Sequence, residues 1–529
     1  MASTLFKTKS IEQLKAEAGG SEGGMKRTLN AFNLTTLGIG AIIGAGIFSL
    51  VGTASQAAGP AVILSFVLAA LACAFAGLCY AEFAAMIPVA GSAYVYAFAT
   101  LGEIVAFVIG WALTLEYAFG ASTVAVSWSG YLVSFLRDFQ IVIPAELTNA
   151  AGVKLIDLTN PELAQQLGVK PAWVPIAQVA ATAKNAGIDL AGLSTTTALF
   201  NLPAVIIIGV LSAVLYRGIS ESAKLNNVIV VIKMVVILAF IGAGVWFVDH
   251  MFFTPFIPAN PNEWGSFNPE SPELGGFGHL GWTGILAGAG TIFFAYIGFD
   301  AVSTAAQETK RPERNMPIGI LASLVICTVI YILVAYVLIG LVPYTSLNVP
   351  DPIAVGINAV QELNWLKYPI KLGALAGLTS VMLVMMLGQS RIFYSMGNDG
   401  LLPGSFSRLH PKFKSPVIPT IITGIFAATL AGLLPIGTLG HLVSLGTLLA
   451  FAIVCIGILV LRYTKPNLER PFRTPLVPLV PVLGALISLL LIVGLEKLAL
   501  FAGIGWLVIG VAIYFAWGRG NRQKRMARQ

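Results

Sequence analysis

The sequence predicts an all-α polytopic membrane protein of twelve transmembrane helices. Ten form a five-plus-five inverted repeat, two more follow at the C-terminal end, and spans one and six are broken. Three observations carry this prediction. Of 529 residues, 57% are hydrophobic and only 10% charged, with a mean hydropathy of +0.85; an average soluble domain carries roughly 25% charged residues. Twelve apolar stretches approach the ~20 helical residues that cross a bilayer core. The chain also aligns on itself at an offset of 254, which sets Ile43-Gly44 on Ile297-Gly298.

Composition excludes a disordered scaffold and a secreted disulfide-rich module. The net charge of +7 does not point to nucleic acid, because the basic residues sit in short loops and tails where they set topology. Cys73, Cys79, Cys327 and Cys455 lie inside apolar runs without metal-type spacing and read as buried thiols. No metal site and no cofactor are expected.

Residues 1–30 form a polar tail holding Lys7, Lys9, Lys15, Lys26 and Arg27, with no apolar h-region to make a cleavable signal. Ser10 and Gln13 have capping-box spacing and predict a short amphipathic surface helix over Ile11, Leu14 and Ala18, a frayed tail being the alternative. The twelve spans are predicted at 33–58, 61–86, 101–135, 199–217, 226–248, 282–307, 317–341, 370–397, 417–435, 438–462, 476–496 and 499–518. The organisation is then a core over 31–463, with repeats at 31–249 and 282–463, two helices over 464–518 and a basic tail at 519–529. Of the 31 Lys and Arg residues, twenty-three fall on one set of alternate segments, seven on the other, and Lys233 lies inside the fifth span. The richer side is the cytoplasmic one and holds both termini. A long outside loop, 136–198, contains four prolines and an amphipathic stretch near Ile176–Lys184.

Each repeat has five spans, so the two must enter the membrane from opposite sides. Each places a glycine in mid-membrane. Glycine costs about 1 kcal/mol in a helix interior, and the backbone groups that a break frees must line a cavity or be buried in protein. Half-helix N-termini offer donors to an anion and half-helix C-termini offer carbonyls to a cation. An amino acid carries both charges. Small-xxx-small packing is the competing explanation for Gly40 and Gly44.

The run Gly38-Ile-Gly-Ala-Ile-Ile-Gly-Ala-Gly-Ile-Phe48 closely resembles the amino acid–polyamine–organocation (APC) permeases. So do Gly298-Phe-Asp300 through Glu308-Thr-Lys310-Arg-Pro312-Glu-Arg314-Asn-Met-Pro317, Asp399-Gly-Leu-Leu-Pro403 and Arg470-Pro-Phe-Arg-Thr-Pro475. The stretch Phe6-Lys-Thr-Lys-Ser-Ile-Glu-Gln-Leu14 and Glu116 look most like the bacterial cationic amino acid transporter branch. The resemblance spans residues 5–518, although the long outside loop departs from the compact family pattern.

It implies a LeuT-like fold and a secondary active transporter of L-amino acids working by alternating access, cationic substrates being favoured, small neutral amino acids the alternative, and an amino-acid-sensing membrane protein or channel the competing class. Proton symport is implied, with exchange also open. The substrate carboxylate would meet the backbone at Ile43, Gly44, Ala45 and Gly46. The amino group would meet carbonyls of Ile42, Phe294, Ala295 and Ile297, and the Phe294 ring would act as a gate. Lys233 is either a proton-coupling residue reporting on the span-one break or a fixed ammonium standing in for sodium. Glu116 either attracts a cationic side chain or takes the proton, or is a protonated acid bonded to a neighbouring helix. Asp300 is expected to bond freed backbone donors or a neighbouring span. Tyr331, with Met385 or Met386, is a candidate for the side-chain pocket. Glu308, Lys310, Arg311 and Arg314 form either a solvated loop or an inner gate. The expected partners are an L-amino acid, protons and membrane lipid, a small membrane subunit being left open, and the expected location is the plasma (inner) membrane. No enzymatic motif is present.

Overall fold

Long apolar runs without interior proline become helices because in lipid every backbone N–H and C=O must be satisfied within its own segment. The computed structural model describes residues 8–10, 29–44, 46–87, 92–167, 169, 171–185, 187–217, 222–260, 262, 277–300, 302–303, 306, 309–349, 351–413, 415–518 and 520. The predicted surface helix over 11–18, Ala45 and Glu308 lie outside these residues.

The chain begins with α1 (Ala31–Ile42), capped by the Asn30 side chain, which accepts from the Asn33 N–H at 2.9 Å. A break and a π-helical turn, Gly46–Leu50, lead into α2 (Val51–Ala58) and α3 (Val62–Met86). The path from Ala31 to Met86 covers 56 residues, about 84 Å at 1.5 Å per residue. That is too long for one crossing, and Gly59, at φ +64°, sits where the path must reverse. Next come α4 (Ser92–Thr100) and α5 (Glu103–Arg137), the latter packed against five later helices.

The outside loop is not structureless. It folds as an antiparallel sheet of order β2-β1-β3, from β1 (Lys154–Leu158), β2 (Ala172–Pro175) and β3 (Thr195–Thr197). Helices α6 (Pro161–Gln166) and α7 (Ile176–Asn185) accompany it. Ile156, Leu158, Val174, Val179 and Ala183 make a small core separate from that of the bundle. The amphipathic stretch read from the sequence is α7; the strands were not anticipated, because they are three to five residues long.

The bundle continues with α8 (Leu202–Arg217), α9 (Ser222–Gly244), α10 (Gly281–Ile292), α11 (Pro312–Leu341) and the short α12 (Pro352–Ala359). It closes with α13 (Lys367–Asn398), α14 (Val417–Leu433), α15 (Ile436–Thr464), α16 (Leu479–Val493) and α17 (Lys497–Ile513). Among the described residues, seven helical stretches are long and apolar enough to cross a membrane, and α8, α14 and α16 are shorter apolar helices. Large apolar side chains stand exposed on the outer faces of these helices, among them Ile206, Val235, Val329, Ile425, Leu489 and Val508. Such a surface suits lipid, not water. The protein is an integral membrane protein.

One buried ion cluster ties the two ends of the chain together. Glu82 on α3 accepts from Arg462 Nε at 3.1 Å and Nη2 at 2.8 Å, and from the Thr474 N–H at 2.7 Å. Arg470 Nε approaches it at 3.2 Å. Glu82 is fully buried, so its removal strands cationic partners in a poorly hydrated site. Glu82→Gln is expected to cost about 3 kcal/mol or more of stability, whereas Glu162→Gln on the exposed α6 should cost almost nothing; thermal unfolding in detergent compares the two.

Candidate functional site

Two interruptions of helical geometry meet near the centre of the molecule. α1 stops at Ile42, and Ile43 is extended (φ −71°, ψ 97°) before the π-turn. π-turns recur at functional sites, since they displace carbonyls from the i→i−4 ladder. The second interruption follows α10: a 3-10 turn, Phe293–Tyr296, then Ile297 extended (φ −59°, ψ 135°) and Gly298 at φ +118°. The two touch backbone to backbone. A Cβ on Gly46 would lie 2.1 Å from the Ala295 Cα, and one on Gly298 would lie 2.8 Å from the Ala41 carbonyl. These glycines are required by close approach, and at Gly298 also by a conformation that L side chains resist.

Three of the carbonyls freed at the end of α1 have side-chain donors. Lys233 on α9 donates to the Gly40 carbonyl and, at 2.8 Å, to that of Ile43. Tyr331 on α11 places its hydroxyl 2.7 Å from the Ile42 carbonyl and 2.9 Å from that of Ala295. With one proton it can donate to only one of them at a time. Tyr331 therefore bridges the two interruptions by its polar end, a role that its position in an apolar helix did not reveal. Beyond the break, Tyr131 donates to the Phe48 carbonyl at 2.8 Å, its ring edge-on to Phe48, and the Ser49 and Ser127 hydroxyls are in contact. The π-turn is thus fastened to α5.

The surroundings are apolar. The Gly44 position faces Val381 on α13, and Gly120 on α5 leaves room for the Met385 thioether and the edge of the Phe294 ring. Ile42, Ile43, Gly44, Gly46, Phe294, Ala295, Ile297 and Met385 are all buried here. The sequence reading overlooked Val381 and Gly120; the available signal was that Gly120 stands four residues after Glu116, on the same face of α5.

Glu116 is fully buried beside Asp300 and Thr447, and neither of its carboxyl oxygens makes a well-formed hydrogen bond. Asp300 accepts from Tyr117 at 2.8 Å, from Ser92 at 3.2 Å and from the freed Gly298 N–H at 3.3 Å. The expectation that Asp300 serves backbone donors and a neighbouring span matches this geometry. Two carboxyls thus share one buried polar cluster behind the second interruption. Lys310, Arg311 and Arg314 make no ion pair with a described residue.

A helical membrane protein whose interrupted helices expose backbone groups to one another at a buried centre has the architecture of a solute permease. The chain belongs to the amino acid permease family of the APC superfamily, whose profile matches residues 29–516. It is 42% identical over 523 residues to the methylthioribose transporter of Bacillus subtilis (strain 168), covering 98% of each chain. To the branched-chain amino acid permease BcaP of the same organism it is 40% identical over 520 residues, again 98% of each. To the cationic amino acid transporter 4 of Mus musculus it is 35% identical over 452 residues, 85% of this chain and 62% of that one. These relatives are transporters, not enzymes; two of the three are named for amino acids, as the family is, and one for methylthioribose.

Proposed function

We propose that this protein is a secondary active transporter that moves L-amino acids across the plasma (inner) membrane by alternating access, coupled to protons. The observation that carries the reading is the meeting of the two interruptions at Gly46 and Ala295, which brings backbone groups of both half-helices to one buried centre. Ile43 to Gly46 would take the carboxylate, and the carbonyls of Ile42, Phe294, Ala295 and Ile297 the ammonium. Phe294 would gate the site, with Met385 and the ring of Tyr331 at its margin. Twelve crossings in a five-plus-five arrangement, both termini cytoplasmic, agree with this: Ala31–Met86 supplies two, the short apolar helices three, and α10 with its continuation the broken sixth.

The side-chain preference follows from what surrounds the interruptions. Val381, Met385 and Phe294 form apolar walls, and the Glu116 carboxyl is buried beside Asp300 and Thr447. An uncharged, branched or small side chain fits such walls best. The cationic reading rests on Glu116 and on the cationic transporters among the relatives; it requires the buried Glu116 carboxyl to meet the ligand's side chain. In the preferred reading Glu116 and Lys233 instead serve proton coupling.

Uptake of labelled leucine, alanine and arginine into proteoliposomes, with and without an inward proton gradient, tests this. Saturable leucine uptake with counterflow, competed at least tenfold better by alanine than by arginine, is expected. The reverse order would establish the cationic reading, and absence of saturable uptake or counterflow for all three would remove the transport assignment.

A further inference from the structure

The folded outside loop forms one side of a cavity. Between the sheet and α6 on one side, and the end of α5 and the start of α12 on the other, lies a cavity of about 920 Å³. That is within the range of small-molecule sites, roughly 300–1,000 Å³. It opens on the face that the charge distribution assigns to the outside.

Its lining carries one fixed charge of each sign. Arg137, on the last turn of α5, lines it together with Gly130 and Ser134, one face of the helix at i, i+4 and i+7 spacing. The neighbouring Asp138 is already taken by Lys367 at 2.7 Å and Lys371 at 2.6 Å. Burial pushes the Asp138 carboxyl up, but these two ammonium groups outweigh it and hold it below the usual range. Arg137 itself forms no ion pair or side-chain hydrogen bond with a described residue. Asp351, at the start of α12, supplies the negative charge, and Trp173 on β2 an indole wall. The floor is Gly130, adjacent to Tyr131, the residue fastened to the π-turn of the central site.

We propose that this roofed cavity is a second, outer binding site for a free amino acid, in which Arg137 receives the α-carboxylate, Asp351 the α-ammonium and Trp173 the side chain. The proposal rests on the reading of the protein as an amino acid transporter. A guanidinium pairs a carboxylate bidentately, an indole face accepts apolar side chains of varied shape, and both charges are ones that every amino acid presents. The outer site loads substrate directly above the Tyr131–Phe48 contact, and it acts on uptake from the outside but not on release from the inside. The folded loop is the structural reason for it: without the sheet, Arg137 and Asp351 would face open water, where an ion pair to a ligand is weak.

The test uses the full chain. Equilibrium binding of labelled leucine to purified protein is expected to give two sites for the wild type and one for Arg137→Gln or Asp351→Asn. In proteoliposomes these variants should raise the KM for uptake from the outer face about tenfold, with the KM from the inner face unchanged. A second measurement avoids touching the charges. The four native cysteines are buried, so Thr345→Cys, on the cavity wall, gives an accessible thiol. Leucine should slow its modification by a membrane-impermeant maleimide, and Trp173→Ala should abolish that protection. A single leucine site in the wild type, with unprotected Thr345→Cys and unchanged outer KM in the variants, overturns the outer site while leaving transport intact. A wild type that neither binds nor transports leucine, alanine or arginine overturns the transport reading itself.

Discussion

Replacing Lys233 by alanine is expected to abolish proton-driven accumulation while leaving amino acid exchange measurable. Among the described residues, the Lys233 ammonium is the one charge in the membrane interior that touches the first interruption, through the Gly40 and Ile43 carbonyls. Any change in its protonation therefore alters the segment proposed to hold the carboxylate. A gradient of one pH unit is worth 1.36 kcal/mol, or about tenfold accumulation in one-for-one symport. The wild type should approach that value and Lys233→Ala should fall to simple equilibration. The two carbonyls it vacates lose their donors, at a cost of roughly 1–3 kcal/mol for each buried group left unsatisfied, so thermal stability should fall as well. Lys233→Arg separates the roles, because it keeps a charge and donors but cannot release a proton. Exchange without accumulation in Lys233→Arg supports coupling. Undiminished accumulation in Lys233→Ala would make this residue a structural ammonium.

Gly46→Ala is expected to eliminate transport altogether. Its new Cβ would sit 2.1 Å from the Ala295 Cα and 2.9 Å from the Ala295 nitrogen. Those are backbone atoms, so no rotamer change relieves the overlap. The two interruptions must separate, with the loss of the Tyr331 hydroxyl bridge between Ile42 and Ala295. Overpacking of this kind costs about 1–3 kcal/mol or more. Counterflow should vanish even where the protein still folds, since the ligand groups no longer face one another. Gly242→Ala is the control: nothing lies within 4 Å of its Cβ position, and helix propensity favours alanine there. A Gly46→Ala protein with wild-type counterflow would show that the interruptions are not in contact during transport.

Much of the site was legible because glycine in mid-span, lysine in an apolar helix and a carboxylate after a glycine are each costly in a membrane. Lys233 and Asp300 stood out by that cost, Gly44 and Gly298 by cost together with the internal repeat, and Gly46 came with the family resemblance. The reach of Lys233 to span one came from the family resemblance, since no periodicity tells which neighbour a helix face meets. Tyr331 was named for its ring, and its hydroxyl went unread: an aromatic residue in an apolar helix reads as packing, and the hydroxyl's partners lie 289 and 36 residues away. The small sheet under the outside loop went unread because β3 is three threonines and β2 ends in proline.

By itself the sequence determined that the chain lives in a membrane, where most helices run, which side its basic residues favour, and where two helices must break. Those properties are local, or sums over the chain: hydropathy, length, charge and backbone permissiveness. The tertiary structure decided which groups face one another. It set Gly46 against Ala295, buried Glu116 beside Asp300, and brought Arg137 and Asp351 to one cavity beneath a folded loop. Pairings of that kind depend on the packing of helices hundreds of residues apart, which no window of sequence contains.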